Sequence, residues 1–223
     1  MRIPLTQYGR RELLLATVVF GALTATGAWL FWPAALLPAA AWALVVMFFR
    51  DPPRQAEGDG FLAPADGKVV DVTPVGADGR LRTEGTRIGI FMSLLDCHVN
   101  RSPCAAAVAA IEHHDGGYLD ARRPEASQAN ESATILLTHT RGGRQFQVVV
   151  RQIAGLVARR IVTDLRVGQQ LAAGQRIGMI KFGSRVEVLL PAELIGRIGV
   201  QVGQTVRAGR TVLVHPPGQE APS

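Results

Sequence analysis

The chain has 223 residues, two cysteines and a net charge of +6. That length accommodates one ordinary domain with an appendage. Cys97 and Cys104, seven positions apart, match no common zinc spacing and are expected to be reduced thiols, and the cationic residues are scattered arginines with only Lys68 and Lys181 among them. A zinc module, a disulfide-stapled secreted domain and a nucleic-acid binder are therefore disfavoured.

From 13 to 49 there is no charged residue, and the segment is crowded with Leu, Ala, Val, Phe and Trp. A bilayer core takes about 20 apolar residues per helix, so the run predicts a pair of apolar helices, about 13–32 and 34–49. Pro33 and Pro38 mark the expected break, because proline removes a backbone donor and clashes inside a helix. A cleaved signal would carry a shorter apolar core and no second apolar stretch behind it, so the pair reads as a retained membrane anchor. Arg2, Arg10 and Arg11 precede it and Arg50 and Arg54 follow it, which predicts that both flanks are cytoplasmic and joined by a transmembrane hairpin. The basic balance also suits an anionic leaflet. A buried hairpin of a soluble protein would normally show a polar stripe, which this one lacks. The expected division is an anchor, 1–54, and a second domain, 55–223.

Beyond the anchor, short β-like runs separated by glycine turns dominate, at 67–75, 87–92, 134–139, 145–153, 176–182, 185–190 and 211–215. Asp78-Gly79 and Gly142-Gly143 predict hairpin turns, and the polar stretch 115–131 predicts a long surface loop. A repeat is visible. Val167-Gly168-Gln169-Gln170-Leu171-Ala172-Ala173-Gly174 matches Val202-Gly203-Gln204-Thr205-Val206-Arg207-Ala208-Gly209, 35 residues apart. This is the grammar of small β-sandwich modules that carry biotin or lipoate, but neither copy offers a lysine at the hairpin, so it is read as architecture. The expected fold is mainly β, sandwich- or barrel-like with lipoyl-like hairpin repeats, behind the N-terminal helical hairpin.

Three places could carry chemistry. Gly183-Ser184 is the only Gly-Ser pair in the chain and lies between two strong β runs. Glycine tolerates backbone angles that let the following hydroxyl face the preceding carbonyl, so attack by Ser184 could turn that peptide into an ester. Elimination would then cut the chain and leave a ketone on the new N-terminus. A plain hairpin turn is the competing reading. His98, in Asp96-Cys97-His98-Val99-Asn100-Arg101, ends an apolar run and suits proton transfer near neutral pH. Asp66, in Pro64-Ala65-Asp66-Gly67-Lys68, is either a turn residue or a carboxylate that orients a histidine. Glu112-His113-His114-Asp115 invites a metal, but adjacent strand residues point to opposite faces and no metal site is expected. Arg159-Arg160 is either a solvated basic turn or a pair that binds phosphate or carboxylate.

Taken in order, Phe48-Phe49-Arg50-Asp51-Pro52, Ala63 to Val69, Asp96 to Arg101, Gln152-Ile153-Ala154-Gly155 with Ala158-Arg159-Arg160-Ile161, and Phe182-Gly183-Ser184-Arg185-Val186 resemble the phosphatidylserine decarboxylase family. The likeness is to its short form with a two-helix anchor. The resemblance implies a self-cleaving proenzyme cut between Gly183 and Ser184 into a β chain, 1–183, and an α chain, 184–223, which stay together as a heterodimer. It implies a pyruvoyl group made from Ser184 as the only cofactor, which forms a Schiff base with the amine of phosphatidylserine and yields phosphatidylethanolamine and CO2. It further implies a phospholipid partner, while the scattered arginines give no expectation of nucleic acid, the flanking arginines place the catalytic domain on the cytoplasmic side of the cell membrane, and some self-association is expected. Asp66 matches the family's aspartate. Longer members carry two histidines three apart, whereas here His98 stands at the first position and Arg101 at the second. Arginine stays protonated and makes a poor base, so either His98 takes the role or another base does, and His98 is the expectation. A decarboxylase of an archaetidylserine-type lipid and a non-enzymatic, membrane-tethered β-sandwich adaptor are the rival readings.

Overall fold

The computed structural model describes residues 4–77, 81, 83–156, 160–181 and 184–218. The Asp78-Gly79 turn, Arg159, Phe182 and Gly183 lie outside the described residues. The chain divides into two compact units, Met1–Pro53 and Arg54–Ser223.

The first unit is a helical hairpin. Helix α1 spans Arg10–Leu30, a 3₁₀ turn spans Trp32–Ala35, and α2 spans Leu36–Phe48. Pro33 sits in the turn, as its missing donor requires. Pro38 does not break the chain: it falls in the first turn of α2, where a backbone N–H has no intrahelical partner to lose. The two helices are joined across by Trp42 Nε1, which donates to Thr17 Oγ1 at 3.1 Å. A β-bridge between Leu5 and Arg50 closes the base of the hairpin. Among the described residues, one helix, Gln7–Leu30, is long and apolar enough to cross a membrane, and Trp32–Phe48 is a shorter apolar one. No residue of α1 is buried.

The second unit is mainly β, as the alternation predicted. Its strands are β1 Phe61–Leu62, β2 Gly67–Val75, β3 Gly85–Met92, β4 Val99–Arg101, β5 Ala106–His114, β6 Ser132–Arg141 and β7 Arg144–Ile153. They continue with β8 Arg160–Thr163, β9 Gln170–Leu171, β10 Arg176–Lys181, β11 Ser184–Pro191, β12 Arg197–Ile198, β13 Thr205–Val206 and β14 Val212–His215. Among the described residues these form an eight-stranded sheet, β13-β2-β3-β11-β7-β6-β5-β9, and two three-stranded sheets, β4-β10-β8 and β1-β14-β12. Side chains alternate along each strand, so Ile88, Ile90, Ile135, Leu137, Val148, Val150, Val186 and Val188 fill one face of the large sheet. Ile177 and Ile180 of β10 and Leu213 and Val214 of β14 join the same core, which draws the three sheets around a common interior.

The β6–β7 hairpin turns on Gly142 and Gly143, with φ of 57° and 75°. Arg141 pairs with Arg144 across them. Positive φ at both central residues matches the right-handed twist of the strands, which is why this pair was legible. Segment 115–131 holds a short helix, α3 Ala126–Ala129, and folds over the second face of the sheet. Buried Asn130 fixes it there, donating to the carbonyls of Leu119 at 2.8 Å and Ala154 at 2.7 Å.

The sequence repeat is a structural repeat. Gly168 N donates to Val108 O and Gly203 N to Val69 O, both at 2.8 Å, while Val108 N donates to Gln169 O and Val69 N to Gln204 O, both at 2.9 Å. Gly174 N reaches Ser102 O at 2.9 Å as Gly209 N reaches Ala63 O at 2.8 Å. The two glycines meet, since a Cβ on Gly174 would lie 3.6 Å from the carbonyl oxygen of Gly209. Superimposing these bonds sets 63–69 on 102–108, so Pro64 corresponds to Pro103 and Asp66 to Ala105.

Candidate active site

Ser184 opens β11, at the point where the chain leaves the three-stranded sheet of β10 and enters the middle of the eight-stranded one. It pairs with Met92, the last residue of β3, and shares its face with Val186 and Val188. It is fully buried. Its Oγ donates to Met92 Sδ at 3.7 Å, a weak acceptor that leaves the hydroxyl lightly held.

The same sulfur accepts from Asn100 Nδ2 at 3.6 Å. Asn100 Oδ1 accepts from Gln152 Nε2 at 2.7 Å, and Gln152 Oε1 from Thr163 Oγ1 at 2.9 Å. Thr163, Gln152, Asn100, Met92 and Ser184 thus form one polar chain through the core, with both carboxamides fully buried. In the sequence Asn100 and Gln152 stand out only as parts of longer runs. The available signal was Gln152 itself, a polar residue on the core-facing phase of Val148, Val150 and Gln152.

His98 lies just before β4 and is fully buried. Its carbonyl accepts from Ile180 N at 3.4 Å, so it stands against β10 a few residues ahead of Ser184. His98 Nδ1 lies 3.0 Å from Asp96 O. A carbonyl only accepts, so this contact puts the proton on Nδ1 and leaves Nε2 as the basic nitrogen of the neutral ring. Asp96 Oδ2 in turn accepts from Ser93 N and Ser93 Oγ, both at 2.7 Å, and so holds the loop.

Asp66 is engaged elsewhere. Its Oδ2 accepts from Arg54 Nη2 at 2.7 Å and its Oδ1 from Ala208 N at 2.8 Å. It precedes Gly67 at the start of β2, two strands from Ser184, or about 10 Å at the usual strand spacing. Arg101 Nη1 donates to Gly174 O at 3.0 Å, a contact within the repeat architecture. Arg160 is exposed at the start of β8, opposite Lys181. Both cysteines are buried, and burial pushes the Cys104 thiol up to about 12. His113 Nε2 lies 3.4 Å from Glu131 Oε1. Among the described residues no group of three His, Cys, Asp or Glu is placed to hold a metal ion.

On the opposite face of the sheet, Arg185 meets the carboxylates of Asp71 and, at 2.9 Å, Glu187. Arg87 Nε lies 3.2 Å from Asp71 Oδ1, and Ser127 Oγ donates to Glu187 Oε2 at 3.1 Å. Arg151 adds bonds to Ser127 and, at 3.0 Å, to Ser132 Oγ. The start of β11 is therefore held on both faces, by a sulfur and carboxamide chain on one and by ion pairs on the other.

The second unit is thus a β domain that follows an apolar helical hairpin in sequence and carries a buried serine where the chain crosses between two of its sheets. The sequence profile of the phosphatidylserine decarboxylase family matches residues 42–214. The chain is 43% identical over 185 residues to the phosphatidylserine decarboxylase proenzyme of Salinibacter ruber, covering 80% of this chain and 78% of that one. It is 47% identical over 168 residues to the proenzyme of the same name from Syntrophotalea carbinolica, covering 74% and 76%. It is 39% identical over 215 residues to that of Carboxydothermus hydrogenoformans, covering 96% and 98%. The chain belongs to the phosphatidylserine decarboxylase family. That membership sets aside the tethered adaptor.

Proposed function

We propose that this chain is a membrane-anchored phosphatidylserine decarboxylase that generates its own pyruvoyl group from Ser184. The observation that carries the reading is the position of Ser184, buried at the head of a strand that is paired on both sides and linked through Met92 Sδ to the Asn100–Gln152 carboxamides. A residue so held keeps its place after the peptide before it is cut.

In the proposed processing, Ser184 Oγ attacks the carbonyl carbon of Gly183, and the peptide becomes an ester. A base removes the Ser184 α-proton and the carboxylate of Gly183 leaves, which opens the chain. Tautomerisation and hydrolysis then release ammonia and leave a ketone at the head of the α chain. His98 Nε2 is the candidate base. Asp66 is a positioning residue, since it ties Arg54 of the future β chain and the amide of Ala208 of the future α chain to one carboxylate.

The residues around Ser184 fit the group: Met92 and Asn100 stand beside it and the pairing of β11 with β3 and β7 fixes its backbone. Once formed, the group supplies a sink for the electrons released with CO2. His98 returns a proton to the former α-carbon of the substrate. Arg160, with Arg159, is proposed to meet the lipid phosphate. The apolar helix Gln7–Leu30 is proposed to anchor the enzyme with its catalytic unit on the cytoplasmic side, where enzyme and lipid share two dimensions and the effective concentration rises.

Intact-mass measurement of the purified chain tests the reading. Two chains, 1–183 and 184–223, are expected, the smaller beginning in a ketone and lacking a free amine. Ser184→Ala remains uncut and inactive. A single intact chain that decarboxylates phosphatidylserine would overturn the proposal.

A further inference from the structure

The end of the large sheet that carries Ser184 also carries the exposed leucines of the β unit. β3 ends at Met92, opposite Ser184, and the loop that follows exposes Leu94 at 52% and Leu95 at 63%. β7 ends at Ile153, opposite Arg185, and its loop exposes Leu156 at 67%. Leu119, 40% exposed, is brought to the same end through Asn130, which bonds both Leu119 and Ala154. β3, β11, β7 and β6 are consecutive in the sheet. At the usual strand spacing the three loops therefore rise within about 15 Å of one another, on either side of the serine.

Single exposed leucines are ordinary on a protein surface, but several gathered around one point mark a contact. Two further observations say what they contact. Ser184 is fully buried, so of a two-tailed lipid only the headgroup can approach it, and the acyl chains must remain at the mouth. Arg54, the first residue of the β unit, is bonded to Asp66 beside the start of β2, which is again this end of the sheet. The β unit thus begins at this end of its sheet, directly after the apolar helices in sequence. Resting on the lipid-decarboxylase reading, we infer that Leu94, Leu95, Leu119 and Leu156 form a docking rim that enters the phospholipid bilayer around the molecule being processed.

The rim is tested by nitroxide labels on single introduced cysteines in the full chain, reconstituted in vesicles of phosphatidylcholine with phosphatidylserine. Cys97 and Cys104 are buried and leave little background. Leu94→Cys and Leu156→Cys report on the rim. Gln145→Cys, exposed eight residues before Ile153 on β7, reports from the far end of the sheet, about 26 Å away. Labels at 94 and 156 are expected to collide more with oxygen and roughly fivefold less with a water-soluble nickel chelate than the label at 145, as for side chains about 5–10 Å into the lipid. Leu95→Cys and Leu119→Cys give independent reports should either label perturb folding. Chain cleavage and decarboxylation are measured in the same samples. A cut, active enzyme whose rim labels are as open to nickel as the label at 145 overturns the rim alone. An unlabelled chain that is neither cut nor active overturns the functional proposal instead.

Discussion

A hydroxyl whose acceptor is a thioether gives up little on leaving it, and Ser184 is in that position because Met92 Sδ is shared with Asn100. The strength of the site lies one bond further out, between the two carboxamides. Gln152→Leu keeps the volume but leaves Asn100 Oδ1 and the Thr163 hydroxyl without the partner they now share. A loss of about 1–3 kcal/mol in denaturant unfolding is expected, together with slower self-cleavage followed by gel densitometry. If His98 is the base, His98→Ala leaves the chain uncut, and cleavage at the parental rate would show that another group removes the proton. Asp66→Asn is expected to slow cleavage through loosened positioning, and an unchanged rate would remove it from processing. Cys104 makes a separate pH prediction. Its folded thiol ionises near 12 against an ordinary 9.0, because burial penalises the thiolate. Above pH 9 the unfolded chain loses that proton while the folded chain keeps it. Stability is therefore whole below that pH and declines as it rises towards 12, a slope that urea titrations should find reduced in Cys104→Ala.

At the scale of elements, the turn at Gly142 and Gly143 is the point where sequence and structure agree most directly. Gly143→Val, forced to a φ of 75°, is expected to lose about 1–3 kcal/mol in thermal or urea unfolding, whereas Gly142→Asn is better tolerated. The strands rich in Val and Ile were legible from their alternation: β2 was expected with the limits it has, and β3, β6, β7 and β11 within a few residues. β5 was not, because it is built largely of alanine, which has little preference for a pleated surface, and ends in Glu112, His113 and His114. The two-residue strands β1, β9, β12 and β13 are too short for any period to register. The polarity of segment 115–131 predicts a surface loop. Its burial depends on Asn130 and on Ser127 reaching Glu187, partners 24 to 60 residues away that no local window contains. Asp71→Asn weakens the ion pair with Arg185 across β2 and β11 while Glu187 remains. A loss of about 1–3 kcal/mol is expected, read by denaturant titration of the cut protein.

For the whole molecule, the insertion of β11 between β3 and β7 governs what cutting the chain would do. The segment that would become the α chain also supplies β13 to the edge of β2 and β14 to the partnership with β1. Cleaved protein is therefore expected to elute from a sizing column as one particle and to separate into two chains only in strong denaturant. Elution of a free small chain under native conditions would contradict this. The helical hairpin and the β unit were both legible from composition, since one is free of charge and the other alternates. The order of strands was not, because pairing between distant segments is chosen by the assembled core and leaves no local trace. Likewise, the places of Ser184 and His98 could be anticipated singly, but the bonds that take Asp66 to Arg54 and Ala208 could not.

The repeat lets one half of the β unit be read against the other. Two stretches of one chain, 63–69 and 102–108, receive the same backbone bonds from their partner hairpins, yet only the first holds a carboxylate, where the second has Ala105. One scaffold is thus used twice, bare in one copy and carrying a charge in the other. The protein holds its own internal control, and comparing the two halves separates what the shared backbone bonds require from what Asp66 adds.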